Sequence, residues 1–317
     1  MNPLHSLASW LSTSGPTAAI EIAADRVSAV QVGAGRQTID VVGHATELLP
    51  QGVVQPAVTA SNVIDRAAVA AAVRAVLDRL PRRPVRVGLV VPDSAAKVSL
   101  VRFENAPTRD ADLEPMIRWQ IRKAVPFPLD EARVSYSPGT RLDGGGREYL
   151  VAVMRRDIVQ DYEGLCTDAE LQPGVVDLAT FSLVNAALTG RPVDQGEDWL
   201  LVHVAAGYHS IGIVRDGALV FFRNRVATGA GDLSNLVHQT AMYYEDRLGG
   251  DGIVRVLLAS SDGAATDHLT RTLVERLGAP VGTVSANAGV RDAVSETALT
   301  AVAAPIGLLL RAPTLAA

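Results

Sequence analysis

Two stretches of the chain, residues 20–32 and 202–214, share one order of residue types. Apolar and charged residues alternate, small residues follow, and a second apolar stretch begins. The alternation predicts strands, and the small residues predict a tight turn between them. A helical spacing of apolar residues follows each stretch, between Asp65 and Pro81 and again over 232–247. Two similar halves of strands and helices predict an α/β protein with mixed sheets.

The composition is that of a globular protein. The 317 residues allow two domains of about 150 residues each, and 48% of them are hydrophobic. A formal net charge of −5 gives no general attraction for nucleic acid or anionic lipid. Cys166 is the single cysteine, so no internal disulfide can form, which suits a reducing compartment. Because neither a signal-peptide pattern nor a run of about 18 apolar residues occurs, we expect a cytoplasmic protein.

Residues 1–16 are predicted to be a flexible N-terminal tail. Chain termini are usually poorly ordered, and this stretch has no strand or long helix pattern. Leu4, Leu7, Trp10 and Leu11 nevertheless share a helical spacing. The alternative is therefore a short amphipathic segment that contacts a membrane or a partner.

A small unit of strand, helix and two further strands interrupts the first half. The strands are predicted at residues 98–103, 133–136 and 148–153, and the helix at 113–125. Leu113, Met116, Ile117 and Ile121 share one face of that helix. The run Pro126-Phe127-Pro128 ends it, because proline and the residue before it are unfavourable within a helix.

This unit resembles the inserted subdomain of PilM-type pilus assembly proteins. The stretch 97–138 reads KVSLVRFENAPTRDADLEPMIRWQIRKAVPFPLDEARVSYSP, and its specific matches are Arg118-Trp119 and the run from Pro126 to Glu131. Residues 20–32, 172–188, 202–217 and 304–311 resemble other family segments in the same order. The resemblance spans nearly the whole chain, and the cytoplasmic domain of the type II secretion protein GspL is related. It implies an α/β, actin-like (ribonuclease H-like) fold of two halves.

The resemblance also implies the organisation of the chain. The first half comprises residues 17–92 and 155–195, and the inserted α+β subdomain comprises 93–154. The second half, 196–295, is shortened, because the segment between Arg223 and Val254 is smaller than the family usually has there. Residues 296–317 form a C-terminal helix that packs back on the first half.

The family likeness implies a cytoplasmic scaffold at the inner face of the inner membrane. Such a scaffold is expected to bind the cytoplasmic tail of a PilN-like membrane protein in a type IV pilus machine or a related type II secretion machine. Pilus motor ATPases are further expected partners. An extended tail could add as a strand in a groove between the insert and the first half. The predicted partner-binding residues are Arg102, Phe103, Met116, Ile117 and Ile121. All of these except Arg102 equally suit an ordinary core.

Family members also have a nucleotide cleft, and this chain departs from their pattern there. An acid on each strand pair positions Mg²⁺ waters, and small residues in each turn let backbone N–H groups reach phosphate. Here Glu21 replaces the first acid, His203 replaces the second, and Ser28 replaces a lysine. The candidate nucleotide residues, all in degenerate positions, are Glu21, Ala23, Ala24, Ser28, His203, Ala205, Gly207, Ser260 and Gly263.

These departures predict that ATP hydrolysis is lost and that no residue is catalytic. A neutral imidazole is a poor substitute for the oxygen ligands of Mg²⁺. ATP with Mg²⁺ remains the one candidate cofactor. The alternative is an active ATP-binding protein or ATPase whose nucleotide state switches partner binding. No metal site is expected, because the spacing of His203 and His209 matches no known metal motif.

Overall fold

The computed structural model describes residues 15–33, 40–107, 109–142, 144–189, 197–229, 231–260, 263–284 and 296–310. Most of the predicted N-terminal tail lies outside these residues, as do residues 261 and 262, which separate the candidate nucleotide residues Ser260 and Gly263. Within them the strands form two five-stranded sheets and one three-stranded sheet.

The first sheet belongs to the first half. Its strands are β1 (Ala18–Ile22), β2 (Arg26–Gly33), β3 (Asp40–Leu48), β4 (Arg86–Val91) and β8 (Gln172–Leu178). They lie in the order β3-β2-β1-β4-β8, with β1 to β3 antiparallel and β4 and β8 parallel to β1. Every residue of β1 is buried, as expected for a strand that is covered on both faces.

The second sheet repeats this plan. Its strands are β9 (Asp198–Ala205), β10 (Tyr208–Arg215), β11 (Ala218–Val226), β12 (Ile253–Ser260) and β13 (Val281–Thr283). Their order is β11-β10-β9-β12-β13, again with three antiparallel strands followed by two parallel ones. The similarity of residues 20–32 and 202–214 therefore reflects two sheets of one topology.

The insert is a three-stranded antiparallel sheet covered by one helix. Its strands are β5 (Lys97–Phe103), β6 (Ala132–Arg141) and β7 (Arg147–Arg155), with β7 in the centre. Its helix α2 runs over Asp110–Ile121 and not over 113–125 as predicted. The backbone N–H of Ala124 instead bonds to the carbonyl of Ile121 in a tight turn, so the helix ends well before Pro126.

The other helices cover the two large sheets. They are α1 (Arg66–Asp78), α3 (Arg156–Asp168), α4 (Ala179–Leu188), α5 (Asp232–Leu248), α6 (Gly263–Leu277), α7 (Glu296–Ala301) and α8 (Ala303–Leu310). The Asp65 side chain accepts a hydrogen bond from the N–H of Ala68 and so caps α1 as predicted. None of the helices in the described part of the chain has the length and hydropathy that a membrane-spanning helix requires.

One apolar core joins the two halves. Helices α4 and α8 lie in it, between residues of the first sheet such as Val30 and Val90 and residues of the second such as Leu201 and Leu257. Helices α1 and α3 cover the other face of the first sheet, and α5 and α6 cover the second sheet. Because α4 begins at the cleft, it links the cleft to the interior of both halves.

Candidate functional site

A buried carboxylate, Asp93, lies where the first half meets the second. It begins a short 3-10 helix, Asp93–Ala95, directly after β4. From the first half, the backbone N–H and the hydroxyl of Thr180 donate to its two oxygens at 3.0 and 2.5 Å. From the second half, the hydroxyl of Ser210 donates to Oδ2 at 2.6 Å, and Nδ1 of His203 lies 3.4 Å from that oxygen. One carboxylate therefore accepts hydrogen bonds from both halves.

These contacts keep Asp93 ionised. Burial raises the pKa of its carboxyl, but the interaction with His203 and the hydrogen bonds from Ser210 and Thr180 outweigh burial and hold the pKa below its usual value. Nδ1 of His203 also lies 3.1 Å from Oγ1 of Thr180. The hydroxyl of Thr180 donates to Asp93 and contacts the imidazole, so the three groups form a continuous chain.

A second set of hydrogen bonds runs beside the first. The Ser94 hydroxyl donates to Oδ1 of Asn224, and Nδ2 of Asn224 donates to Oγ of Ser210, each at 2.9 Å. The hydroxyl of Tyr208 accepts the backbone N–H of Asp93 at 3.3 Å, and its ring packs edge-on against His203 with centroids 5.6 Å apart. The large Tyr208 side chain is buried, so the second predicted phosphate turn is followed by a residue that fills the cleft.

The first predicted phosphate turn holds a buried ion pair. Nη2 of Arg26 lies 3.3 Å from Oε2 of Glu21, and the two side chains are 15% and 5% exposed. The charge of Glu21 raises the pKa of the Arg26 guanidinium by more than burial lowers it. Glu21 is therefore already compensated by a cation of its own hairpin.

The remaining candidate nucleotide residues serve the local fold. Oγ of Ser28 lies 3.1 Å from Oγ1 of Thr46 on the neighbouring strand, and the N–H of Ala23 donates to the carbonyl of Arg26 at 2.9 Å. Ala24 follows in that turn. In the second half, Ala205 ends β9 and Gly207 has a φ of 85°, which glycine adopts without strain. Ser260 ends β12, and Gly263 begins α6.

This arrangement does not match the requirements of Mg²⁺ with ATP. Mg²⁺ requires free oxygen ligands in octahedral geometry. Glu21 is instead paired with Arg26, and His203 presents a nitrogen to Asp93 and Thr180. No group of three or more His, Cys, Asp or Glu side chains suited to a metal occurs among the described residues. Glu21 and His203 thus each contact other side chains of the cleft.

Sequence reasoning located Glu21 and His203 at the cleft but missed their partners. Asp93, Thr180 and Asn224 are distant from both in sequence, and Tyr208 and Ser210 follow His203 on the next strand without matching a motif. One signal was available for Asp93, since a polar residue after a buried strand marks the carboxyl edge of a sheet, where ligands and polar sites concentrate in α/β folds.

A second feature is a groove of about 670 Å³ between the insert and the first half. Its walls are β6 and β7 of the insert, β8 and α4 of the first half, and the turn from Gly217 to Leu219 of the second half. Both β6 and β8 are edge strands in the described sheets, so each has one side that pairs with no strand. The groove thus has unpaired strand edges beside an apolar floor.

The floor of the groove comes from the face of the insert sheet that α2 does not cover. On β7, Tyr149, Val151 and Val153 belong to the small core beneath α2. The alternating residues Leu150, Ala152 and Met154 line the groove instead. A strand with apolar residues on both faces is typically covered on both sides. The apolar run over residues 149–154 therefore indicated that the second face of β7 is also covered.

The predicted partner-binding residues need correction. Ile117 and Ile121 are 0% and 1% exposed in the core of the insert, so they cannot reach a partner. Met116 is partly exposed on α2, Phe103 packs against Tyr149, and Arg102 pairs with Glu148 at 2.8 Å. None of the five predicted residues lines the groove. Arg102, Phe103 and Met116 stay predictions, whereas the burial of Ile117 and Ile121 assigns them to the core of the insert.

The architecture resembles that of several solved structures. A chain of a PilM-PilN type IV pilus biogenesis complex is 19% identical with a TM-score of 0.80, and the match covers 94% of this chain and 98% of that one. A Bacteroides thetaiotaomicron protein with an actin-like ATPase fold and unknown function is 9% identical with a TM-score of 0.51, covering 93% and 95%. The cytoplasmic domain of EpsL, an inner-membrane component of the Vibrio cholerae type II secretion system, is 10% identical with a TM-score of 0.49, covering 90% and 93%. No curated protein matches the chain.

At these identities, the first two likenesses establish the fold and confirm the predicted actin-like α/β class. The family model described as type IV pilus assembly protein PilM matches residues 19–247, which is more than half of the chain. The family inferred from the insert and the repeated hairpins is thereby confirmed. The chain belongs to the PilM family of type IV pilus assembly proteins.

Proposed function

We propose that this chain is an adaptor of a type IV pilus machine that holds the extended cytoplasmic tail of a PilN-like inner-membrane protein in the groove beside the insert. Family membership and the likeness to a chain of a PilM-PilN complex support a partner of this class. The observation that carries the proposal is the groove itself, with unpaired edges on β6 and β8 above an apolar floor.

The groove suits an extended peptide. A peptide that lies against an edge strand satisfies its backbone hydrogen bonds there, and alternate side chains point into the pocket. Phe181, Val184 and Leu188 of α4 offer apolar contacts on one side, and Leu150 and Ala152 offer them on the other. This geometry favours a short tail with apolar residues at alternate positions.

The adaptor works without ATP turnover in this proposal. Three observations support it: the Glu21–Arg26 pair, the participation of His203 in the Asp93 contacts, and Tyr208 in the cleft. The alternative of an active ATPase would need a free acid to position Mg²⁺. Glu21 could take that role only by giving up the compensation of its buried charge by Arg26, which is unfavourable.

The location of the protein follows from the partner. We propose that the chain lies at the cytoplasmic face of the inner membrane and is held there through the PilN-like protein. Motor ATPases as further partners, and service in a type II secretion machine, remain predictions from family likeness.

The groove is tested with a fluorescent synthetic peptide of the PilN-like tail and the variant Ala152→Trp. Ala152 lines the groove and is partly exposed, so an indole there occupies the space that the tail needs. We expect anisotropy titrations to show at least about tenfold weaker binding, about 1.4 kcal/mol. The matched control is Ala111→Trp, which adds the same side chain at an exposed position of α2 outside the groove.

The parent protein and the control should bind alike, and thermal unfolding should show that both variants fold. Equal tail binding by Ala152→Trp and Ala111→Trp would place the tail elsewhere on the molecule.

A further inference from the structure

We propose that the hydrogen bonds around Asp93 hold the two halves together in place of a nucleotide, so that the cleft is closed and the groove keeps one shape without ATP. This set of side chains, the Asp93 bridge, comprises Thr180 of the first half, Asp93 and Ser94 at the junction of the first half with the insert, and His203, Tyr208, Ser210 and Asn224 of the second half. The part of this inference that concerns the groove rests on the proposed function.

The bridge connects the halves by side chains from separate elements. One side of the bridge consists of the 3-10 helix that joins β4 of the first half to β5 of the insert, and of the first turn of α4. The second half contributes one side chain from β9, two from β10 and one from β11. Five contacts of 2.6 to 3.4 Å cross the boundary: Ser210 to Asp93, His203 to Thr180, His203 to Asp93, Ser94 to Asn224, and Asp93 N–H to Tyr208.

The bridge resists opening because its central group is buried and charged. Asp93 is 0% exposed and the hydroxyl and imidazole groups around it are also buried, so separating the halves would remove partners from an ionised carboxylate. The buried ring of Tyr208, packed against His203, adds bulk to the cleft. A nucleotide would have to displace these contacts and could not simply join them.

The bridge also adjoins the groove through shared elements. Thr180 belongs to α4, where the next residue, Phe181, and Val184, one turn further along, line the groove. The 3-10 helix of Asp93 is followed by Ala96, which is another lining residue. The second half supplies the turn at Gly217. A change in the angle between the halves would therefore change the width of the groove.

Distances between spin labels on the two halves test the bridge directly. Arg74→Cys on α1 and Gln239→Cys on α5 place labels at exposed positions of the first and second halves. The native Cys166 is buried, and burial raises its pKa to about 12, so it should not react. We expect the labelled parent to give one narrow distance distribution that is the same with and without Mg²⁺ and ATP. Asp93→Asn should broaden this distribution, because the amide nitrogen of asparagine cannot accept hydrogen bonds from the surrounding donors.

Two further variants keep the test decisive if Asp93→Asn does not fold. Asn224→Ala removes the partly buried hydrogen bond from Ser94 and leaves the groups that contact Asp93 in place. We therefore expect a smaller broadening of the distance distribution. Ser182→Ala is the control on α4, because its buried hydroxyl makes no hydrogen bond within the described residues, and it should behave as the parent.

The bridge is refuted if the parent distribution is broad and narrows with Mg²⁺ and ATP, or if Asp93→Asn or Asn224→Ala leaves it unchanged. The distances are measured without tail peptide. A parent that is closed but binds no tail would therefore contradict the proposed function and leave the bridge intact.

Discussion

At the scale of single residues, buried charge in the cleft is compensated by neighbouring groups of opposite charge or by hydrogen-bond donors. Glu21 is compensated by Arg26, and Asp93 by three donors. A buried charge that loses its partner is strongly unfavourable, whereas replacing the whole pair often changes stability little. Glu21 and Arg26 therefore matter to folding as a pair.

Arg26→Met should lower the free energy of unfolding by about 3–5 kcal/mol, because it leaves the Glu21 carboxylate buried without a cation. The double variant Glu21→Gln with Arg26→Met should lose clearly less, since no charge is then buried. Urea denaturation at neutral pH measures both. Arg74→Met, at an exposed position of α1, is the control and should stay close to the parent. A double variant no more stable than Arg26→Met would show that the pair is not coupled.

The positions of single residues could be predicted where the sequence repeats a pattern. Glu21 and His203 occur at equivalent points of two similar hairpins, so their shared location could be inferred from the repeat. The partners of His203 could not, because Asp93 and Thr180 come from two other elements that only the folded chain brings together.

At the scale of elements, the contact between α4 and α8 depends on one glycine. A Cβ built at Gly307 would lie 1.8 Å from the carbonyl oxygen of Ser182 and 2.7 Å from its carbon. Both are backbone atoms and cannot rotate away. The two helices lie in the core between the sheets, so their close approach affects how the two halves pack.

Gly307→Ala should therefore lower stability by about 3 kcal/mol, at the upper end of the usual range for overpacking. Thermal unfolding by differential scanning calorimetry measures the loss. Gly229→Ala is the matched control, since nothing lies within 4 Å of its added Cβ. If both variants unfold at the temperature of the parent, the helices are not packed as closely as described.

The sequence predicted one helix over 296–317, whereas the described residues of that stretch form α7 and α8 with a break at Val302. Pro305 explains the difference. It lacks a backbone N–H and would clash inside a continuous helix, but it is tolerated in the first turn of a new one. Helical periodicity alone could not place this break, because the apolar spacing continues across it.

At the scale of the whole molecule, two sheets of one topology meet at a cleft, and an insert forms a groove beside the first. The repeat at residues 20–32 and 202–214 predicted the two sheets, and the segment 97–138 predicted the insert and the family. The position of the groove could be predicted from the sequence only approximately. It depends on how three sheets sit together, and no local pattern in the sequence describes that arrangement.

The central claim is that this chain holds the PilN-like tail without a nucleotide. The measurement that tests it most directly is calorimetric titration of the tail peptide into the full chain, with and without millimolar ATP and Mg²⁺. The account predicts binding in both conditions, with affinities that agree within about twofold, or about 0.4 kcal/mol. Tail binding that requires ATP, or that tightens by about tenfold or more when ATP is present, would contradict it and favour a nucleotide-switched adaptor.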